Sequence, residues 1–432
     1  MKIALSKTGH CSGNILMVTI LTAFIIGTVL ASYLALVRYQ NATVARAQDW
    51  NAAMGAAEAG VEEALAQLTH VPLTTNINRS ANGWVIDGSI CRVPAPRAIL
   101  HGAYNVWFTN VAQPVIVASG KITNSALATV ITRTVEVRTT NAPVYSVGLA
   151  AIYNIKMNGN KIYADSYIST DSNYSTDGRY DPAKARSNGD VASVNGLIDV
   201  GNGDVHGDLL TGPTGSYATN KNGSFSGTYL NDFNPEYQEA KDPVDLNKYL
   251  TPSAGMVNQK ITTGTGLTTK TITYDYAFGN SAQIKLLSGL TGSLYVGPNA
   301  NVSLYICDNV NISANQEIYI EKGGKLTIYM AGKSFVVGGT VNNATPASLN
   351  YIGLPNNTTI ALKGNAGFTG TIYAPRADLQ LDGGGSPNNT VDFSGACVTK
   401  SISMNGHLNF HYDEALAKLG PSIYKAISWR EL

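Results

Sequence analysis

An uninterrupted apolar run near the N-terminus constrains this chain more than any other feature of its sequence. From Ile15 to Val37 there are twenty-three residues without a charge or a proline. At about 1.5 Å per residue, a helix of this length spans roughly 34 Å, slightly more than the hydrocarbon core of a bilayer. The run therefore predicts a membrane-spanning helix.

The charges that flank this run predict its orientation. Lys2 and Lys7 precede the run, and Arg38 follows it. Because positive charges favour the cytoplasmic side, we expect a single-pass inner-membrane protein with its C-terminal region outside the cytoplasm, at the cell surface or in a pilus. A cleaved secretory signal is the alternative, but its apolar region would be shorter and would end in a small-residue cleavage site, of which Ala31 and Ser32 form a poor version.

The helical pattern continues beyond the apolar run. No proline occurs before Pro72, and apolar residues recur at steps of three and four along one helix face. The residues of this stripe are Trp50, Met54, Ala57, Val61, Leu65 and Leu68. We expect one continuous helix from about Asn14 to Leu68, on the order of 80 Å long. Its first half is apolar on all sides, and its second half is amphipathic.

Three features of the first seventy residues occur together in known proteins: a short polar leader that ends in Gly13, the apolar run directly after it, and the segment AAEAG at positions 56–60. In these features the N-terminus resembles type IV pilin-like proteins, most of all the minor pilins of the PilX type. The resemblance implies that a membrane peptidase cuts between Gly13 and Asn14, and that the helix then packs against other pilins or pseudopilins. Val18 replaces the glutamate of major pilins, and Asn14 replaces their usual Phe or Met.

After Pro72 the sequence changes to short alternating strands. Between Trp84 and Val137 several runs are rich in Val, Ile and aromatic residues, and each is bounded by Gly, Pro or Asn. In the last run the side that we expect to be packed consists of Ile131, Arg133, Val135 and Val137. A small antiparallel sheet on the second half of the helix would bury the apolar stripe there.

Beyond Pro143 the chain is β-rich and internally repetitive. Pairs of apolar residues begin at intervals of eight: Leu294/Val296, Val302/Leu304, Val310/Ile312, Ile318/Ile320 and Leu326/Ile328. Three such units make a coil of about 24 residues, which suits a parallel β-solenoid, although a sandwich of antiparallel strands has the same spacing. In a solenoid the first residue of each pair points into one core, and Tyr305 and Tyr319 face outward.

A repeated tripeptide favours the solenoid. Phe225-Ser226-Gly227, Phe368-Thr369-Gly370 and Phe393-Ser394-Gly395 share one pattern. Similar Asn-Gly or Gly-Asn turns recur at Asn158-Gly159-Asn160, Asn195-Gly196, Lys363-Gly364-Asn365 and Asn405-Gly406. Gly and Asn tolerate the left-handed backbone of tight corners. The phrase IYAPRADLQLDG, followed by MNGHLNFHYDEAL, also resembles the β-helical C-terminal module of bacterial surface proteins that carry PilX-type anchors.

These patterns predict a mainly β protein with one long N-terminal helix. The predicted order is a leader at 1–13, a transmembrane and amphipathic helix at 14–70, a pilin-like antiparallel β domain at 71–142, and a right-handed parallel β-helix at 143–411 with an insertion near 231–252. We expect residues 412–432 to contain a short helix, closed by Gly420, that caps the open end of the β-helix.

Two groups of acidic residues and histidines are candidates for polysaccharide chemistry, which needs acid and base groups on one face. The first group is Asp199, Asp204, Asp208 and His206, and the second is His407, His411 and Asp413. Both groups are explained more simply as polar turns and outward strand positions. We therefore assign no catalytic residue and expect no enzyme.

The sequence gives only weak candidates for metal ligands. The loop residues Asp171, Asn173, Asp177 and Asp181 supply oxygen ligands of the kind that calcium takes, but Thr176 stands where an EF-hand requires glycine. A solvated loop is the simpler interpretation, and no cofactor is assigned. Wide spacing of the cysteines excludes a CxxC motif. Cys307 and Cys397 lie in β-like segments, either as a disulfide or as small core residues.

The composition limits the partners. Only 14% of the residues are charged, the net charge is +1, and no basic cluster occurs, which excludes nucleic acid. The expected function is structural or adhesive, as a minor component of a type IV pilus or related secretion pseudopilus that presents its β-helix to glycans, surfaces or other cells. The alternative is a membrane-tethered β-helix enzyme that acts on polysaccharides.

Overall fold

The computed structural model describes residues 12–70, 83–99, 102–111, 113–124, 128–159, 161–220, 222–243, 245–264, 269–364, 366–384, 390–418 and 422–432. Most of the predicted leader and the predicted helix stop at Gly420 lie outside these residues. The chain divides into two compact units. One consists of Met1–Ala142 with Ser422–Leu432, and the other of Pro143–Pro421.

The first unit contains one long helix, α1, which runs from Ser12 to His70 without a break. The prediction of a single continuous helix is therefore confirmed, and Gly13 and Asn14 lie in its first turn. Along the predicted apolar run most side chains are exposed, with 69% of the Phe24 surface accessible. This part of α1 is long and apolar enough to cross a membrane.

Six strands of the first unit follow α1 in the chain. They are Val85–Asp87 (β1), Ile90–Arg92 (β2), Arg97–Ile99 (β3), Gly102–Thr109 (β4), Val115–Asn124 (β5) and Thr129–Pro143 (β6). All of their pairings are antiparallel, as predicted. Val135 and Val137 are fully buried, whereas Val130 on the opposite face is exposed. The predicted orientation of the last strand is confirmed.

The contact between α1 and this sheet depends on small residues. Ala53, Ala57 and Ala64 are fully buried on the helix. A Cβ atom at Gly120 of β5 would lie 2.1 Å from the carbonyl oxygen of Ala53, well inside van der Waals contact. Only glycine at this position lets the helix and the sheet approach so closely.

The predicted apolar stripe of α1 is only partly correct. Val61 and Leu68 are buried as expected, and Met54 and Leu65 pack at the edge of the core. Trp50 is 49% exposed, and the guanidinium group of Arg133 lies 4.6 Å from the centre of its ring. The alanines occupy the close contact with the sheet, so the larger indole ring is displaced to the edge.

The second unit consists mostly of short strands. The first group is Leu149–Ala151 (β7), Ile155–Met157 (β8), Ile162–Tyr167 (β9), Val191–Ser193 (β10), Leu197–Asp199 (β11), Asp204–Val205 (β12), Leu209–Thr211 (β13), Ser216–Ala218 (β14), Ser224–Phe225 (β15) and Tyr229–Leu230 (β16). The second group is Val257–Thr263 (β17), Lys270–Phe278 (β18), Ala282–Leu286 (β19), Leu294–Val296 (β20), Asn301–Ile306 (β21), Val310–Ile312 (β22), Glu317–Ile320 (β23), Lys325–Met330 (β24), Ser334–Val337 (β25), Thr340–Val341 (β26), Leu349–Gly353 (β27), Thr359–Gly364 (β28), Gly367–Gly383 (β29), Thr390–Asn405 (β30) and His407–Asp413 (β31).

Many of these strands pair in parallel with the strand three places further along the chain. β21 pairs with β24 so that Val302 lies opposite Leu326, 24 residues later. β20 pairs with β23 in the same way, whereas β17 and β18 form an antiparallel hairpin. Val302, Val310, Ile318 and Leu326 are each at most 1% exposed. The 24-residue spacing and the inward direction of these residues are therefore confirmed.

The chain enters this array of strands in its middle. β7 pairs in parallel with β30 on one side and with β10 on the other. β9 likewise lies between β31 and β12. The last strands of the unit therefore lie beside its first strands, and we call this junction the seam. Residues that are far apart in sequence become neighbours there.

The segment 231–252 crosses the outside of the second group of strands. Ala240 and Tyr249 pack in one apolar cluster with Tyr305 and Leu354. Tyr305 donates a hydrogen bond to Asp242 at 3.0 Å. Tyr305 therefore faces outward from the strands, as predicted, but this segment covers it and leaves it only 9% exposed. Tyr319 lies outside that cluster and is partly exposed.

The C-terminal residues do not form the predicted cap. A short 3-10 turn spans Glu414–Lys418, and Ser422–Glu431 (β32) is a strand next to β6 in the sheet of the first unit. Nε of Arg133 donates to Oε1 of Glu431 at 2.6 Å. The short helix is predicted before Gly420, where the 3-10 turn lies, and the segment SIYKAISWRE after it contains β-branched and aromatic residues that favour a strand.

The candidate disulfide between Cys307 and Cys397 is not formed. Both cysteines are free thiols. Cys397 is fully buried in β30, and this burial raises the pKa of its thiol to about 12. Cys307 packs at the edge of the apolar cluster under the segment 231–252. The alternative, that both are small core residues, agrees with these positions.

Truncation of one inward residue tests the parallel core. Ile318→Ala should destabilise the second unit by about 2 to 5 kcal/mol, because its neighbours on the adjacent strands cannot collapse into the cavity. Tyr319→Ala, the next residue on the outer face, should cost about 1 kcal/mol or less. Amide hydrogen exchange of peptides from β20–β24 in the full chain measures both losses. A larger effect at Tyr319 would show that the assigned direction of these side chains is wrong.

Candidate functional site

Two rows of outward residues run across the parallel strands at the seam. The first row is Asp392, Asn409, Tyr163, Asp204 and Ser224, and the second is Thr369, Ser394, His411, Asp165 and His206. The residues between them in sequence, such as Phe393, Phe410 and Ala164, are buried in the interior. Because successive side chains of a strand point to opposite faces, an apolar inner set places this polar set on the outer face.

A loop between β9 and β10 covers part of the outer face. Arg186 near the end of the loop and Ser166 at the end of β9 each donate a hydrogen bond of 2.8 Å to Oε1 of Glu414, in the turn after β31. The guanidinium group of Arg186 also lies 4.5 Å from the centre of the Tyr174 ring. These contacts fix the loop against the strands of the seam.

At the centre of the covered face, Asp165, His411 and Tyr180 form one hydrogen-bonded cluster. Oδ1 of Asp165 lies 2.5 Å from Nδ1 of His411, and Oδ2 accepts a 2.6 Å hydrogen bond from the Tyr180 hydroxyl. The Tyr180 and His411 rings stack with centres 3.4 Å apart and planes 15° from parallel. Asp165 is fully buried, and His411 is 5% exposed.

The cluster holds its side chains in fixed orientations. Both oxygens of Asp165 are engaged, so its carboxylate sets the positions of the two rings. With Nδ1 of His411 bound to Asp165, the structure gives the other ring nitrogen, Nε2, no hydrogen-bond partner among the described residues. Burial, together with the hydrogen bond to Asp165, raises the pKa of Tyr180 far above its usual value. Tyr180 therefore stays protonated and donates to Asp165.

Asp413 serves the local fold. Its Oδ1 accepts hydrogen bonds from the backbone N–H groups of Ser169 and Ala415, at 2.9 and 3.1 Å. The residue is fully buried, and this burial raises the pKa of its carboxyl group. Of the candidates His407, His411 and Asp413, only His411 belongs to the central cluster. The carboxylate that His411 contacts is that of Asp165, which was not among these candidates.

Three adjoining clefts surround the cluster, and we call them together the polar groove. The central cleft, about 400 Å³, is lined by Tyr167, Arg179, Tyr180, Pro182, Asn343, Ala344, Thr369, Asp392, Ser394, Asn409 and His411. A second cleft, about 700 Å³, shares Tyr180 and Asn343 with it and continues to Tyr319, Glu321 and Lys322. A third, about 820 Å³, shares Asn409 and continues to Tyr163, Asn202, Asp204, Asn222, Lys161 and His407.

The first predicted acid and base group is only partly assembled. Nε2 of His206 lies 3.3 Å from Oδ2 of Asp204, and the His206 ring lies 4.9 Å from the Tyr163 ring. Asp204 lines the third cleft. Asp199 instead accepts from Gly201 within its own turn, at 3.1 Å. Asp208 accepts from the backbone N–H of Thr228 at 2.7 Å.

Two of the candidate calcium ligands, Asp171 and Asp181, accept hydrogen bonds within the loop itself. Asp171 accepts from the backbone N–H of Asn173, and Asp181 accepts from Thr176 and caps a short 3-10 turn. Asp177 adopts a left-handed backbone with φ of 52°. Among the described residues no group of three or more His, Cys, Asp or Glu side chains is arranged to hold a metal ion.

Sequence reasoning did not find Asp165 or Tyr180. Asp165 and His411 are 246 positions apart, and only the pairing of β9 with β31 brings them together. Strand alternation in KIYADSY, which places Tyr163 and Asp165 on one face, was the available signal. It predicts an outward Asp165 but not the partner that it contacts.

Comparison with known proteins gives limited similarities. Residues 298–419 match a family model described as a domain of unknown function, DUF7305. The chain is similar to the competence-associated pilin ComZ from Thermus thermophilus, at 11% identity and a TM-score of 0.29, over 89% of this chain and 97% of that one. No curated protein matches the chain.

Proposed function

We propose that this chain is a membrane-anchored, pilin-like surface protein and a minor component of a type IV pilus or related secretion pseudopilus. The main observation in support of this proposal is that α1 is divided into two halves. Its second half is covered by an antiparallel sheet, with Ala53, Ala57 and Ala64 fully buried. Its first half lies outside that core, and its apolar side chains are exposed.

The exposed half of α1 requires a partner. Each Å² of apolar surface left in water costs about 25 cal/mol, and a continuous patch of this size is not stable in solvent. A bilayer covers it before assembly, and the helices of other pilins or pseudopilins would cover it in a filament. The absence of charge between Ile15 and Val37 suits both environments equally. In this proposal the N-terminus is cytoplasmic, and the rest of the chain lies outside the cytoplasm.

The parallel strands of the second unit are, in this proposal, a right-handed parallel β-helix. Support comes from pairings that repeat at about 24 residues, as between Leu294 and Ile318 or Val302 and Leu326. Parallel strands joined by short connections cross over in the right-handed sense in nearly all known cases. Such a unit presents a long, rigid outer surface, which suits an adhesive or structural role.

A polysaccharide-active enzyme remains the alternative, favoured by Asp204 in the lining of the third cleft and by His206, whose Nε2 lies 3.3 Å from the Asp204 carboxylate. If the groove cleaves glycans, the full chain should release reducing ends from a polysaccharide, and Asp204→Asn with His206→Ala should abolish the release without unfolding the protein. We expect no turnover from the unmodified chain. Reducing-end assays on neutral and acidic polysaccharides measure this. Turnover that these substitutions abolish would show that the groove is catalytic and not adhesive.

The membrane anchor is tested by a charge at the middle of the apolar run. Gly27→Arg should cost about 2.5 to 3.5 kcal/mol of insertion free energy and shift the protein out of the membrane fraction. Gly55→Arg is the matched control, because neither glycine has a neighbouring atom within 4 Å of an added Cβ. Fractionation of cells measures both variants. Full retention of the Gly27 variant in membranes would exclude the retained anchor.

Processing is tested at the residue before the proposed cut. Gly13→Leu should leave a precursor about thirteen residues longer and keep the protein out of sheared filaments. Gly27→Leu, a similar substitution at an open helix position, should be processed normally. Mass analysis of the N-terminus, and of filaments sheared from cells, gives the result. If the unmodified mature protein does not begin at Asn14, the proposed pilin-type processing is wrong. The membrane anchor would not be affected by that result.

A further inference from the structure

We propose that the polar groove binds a neutral polysaccharide chain that lies across the parallel strands of the seam. The proposal rests on the adhesive role proposed above and names the ligand class of that role. Its evidence is the extent of the groove, the chemistry of its lining, the balance of its charges and the fixed cluster at its centre.

The groove is long enough for several sugar residues. Its central cleft shares Tyr180 and Asn343 with the second cleft and Asn409 with the third. The six strands β29, β30, β31, β9, β12 and β15 pair side by side in this order. Five intervals of about 4.8 Å give a width of roughly 24 Å across these strands. This dimension suits an extended chain better than a single small molecule.

The lining combines flat aromatic rings with amides and carboxylates. Tyr163, Tyr180 and Tyr319 are distributed over the three clefts, and the amides are Asn202, Asn222, Asn343 and Asn409. A tyrosine ring offers an apolar face, which can pack against the C–H face of a sugar ring. Asparagine both donates and accepts, and carboxylates accept, so together they match neighbouring hydroxyl groups. Polyhydroxylated rings in a chain present these same two surfaces.

The charges of the lining favour a neutral chain. The carboxylates are Asp177, Asp181, Asp204, Glu321 and Asp392, and the basic side chains are Lys161, Arg179 and Lys322. Acidic groups therefore outnumber basic ones, and a polyanion would be repelled along much of the groove. The interspersed signs give no strong attraction to a polycation either.

The central cluster keeps one binding surface in place before the ligand arrives. Tyr180 lines both the central and the second cleft. Its hydroxyl is bound to Asp165, and its ring is stacked on His411. The Tyr180 side chain therefore loses little conformational entropy when a ligand binds, which favours high affinity. Nε2 of His411, which has no partner among the described residues, is available to a ligand hydroxyl.

The binding test uses the full chain in detergent micelles and calorimetric titration. The probes are cellohexaose, xylohexaose, mannohexaose and chitohexaose, their disaccharides, and hexagalacturonate as the charged probe. We expect at least one neutral hexasaccharide to bind saturably, more tightly than its disaccharide and than hexagalacturonate. Tyr180→Ala and Tyr319→Ala should each weaken this binding about tenfold. Tyr153→Ala, at a tyrosine that is 49% exposed and outside the groove, should leave it unchanged.

The use of two tyrosine variants distinguishes loss of binding from a local folding defect. Tyr180→Ala removes a member of the central cluster, but Tyr319 lies apart from it and contacts Tyr295 instead. Saturable binding that both variants weaken supports the groove. The inference is overturned if no neutral probe binds saturably, if hexagalacturonate is preferred, or if either groove variant binds as tightly as the unmodified protein. Binding failure with normal filament incorporation rejects this inference alone, whereas binding without incorporation rejects only the proposed pilus role.

Discussion

Parallel pairing with apolar residues stacked inside is the interaction on which the second unit depends. Phe368, Phe393 and Phe410 lie on neighbouring strands, with successive ring centres 4.9 and 5.1 Å apart. Glycine permits the close approach beside them, since a Cβ at Gly395 would lie 1.8 Å from the carbonyl oxygen of Gly370. Because the inner residues are in register, the outer residues are in register too. The polar rows at the seam are the outer consequence of this inner packing.

The position of the first strands inside the array determines which outer residues meet. Had β7–β9 formed one end of the array, Asp165 would have had no β31 beside it. Because β9 instead lies between β31 and β12, His411 and His206 occupy the row on either side of Asp165. The central cluster is therefore a product of chain topology as well as of strand alternation. Its two most buried members, Asp165 and His411, lie near opposite ends of the second unit in sequence.

The sequence predicts local and periodic features well, and it predicts long-range partners poorly. The continuous helix and the burial of Val302 and Ile318 follow from spacings of three to eight residues, which a single segment displays. The covered Tyr305 and the C-terminal strand depend on distant segments, the stretch 231–252 and β6, whose positions no local pattern encodes. His411 shows both cases, because its outward direction follows from alternation while its contact with Asp165 follows from pairing across 246 positions.

The geometry of Asp165 and Asp204 fits the binding of a glycan better than its cleavage. Cleavage needs one carboxyl group kept protonated, usually by an apolar pocket, and a second one free to act. Asp165 is buried, but both of its oxygens are occupied by His411 and Tyr180. The Asp204 side chain is 54% exposed and accepts from Ser224. Neither carboxyl group is both kept protonated by an apolar pocket and accessible to a ligand. Binding requires only fixed aromatic rings and amide groups, which the groove provides.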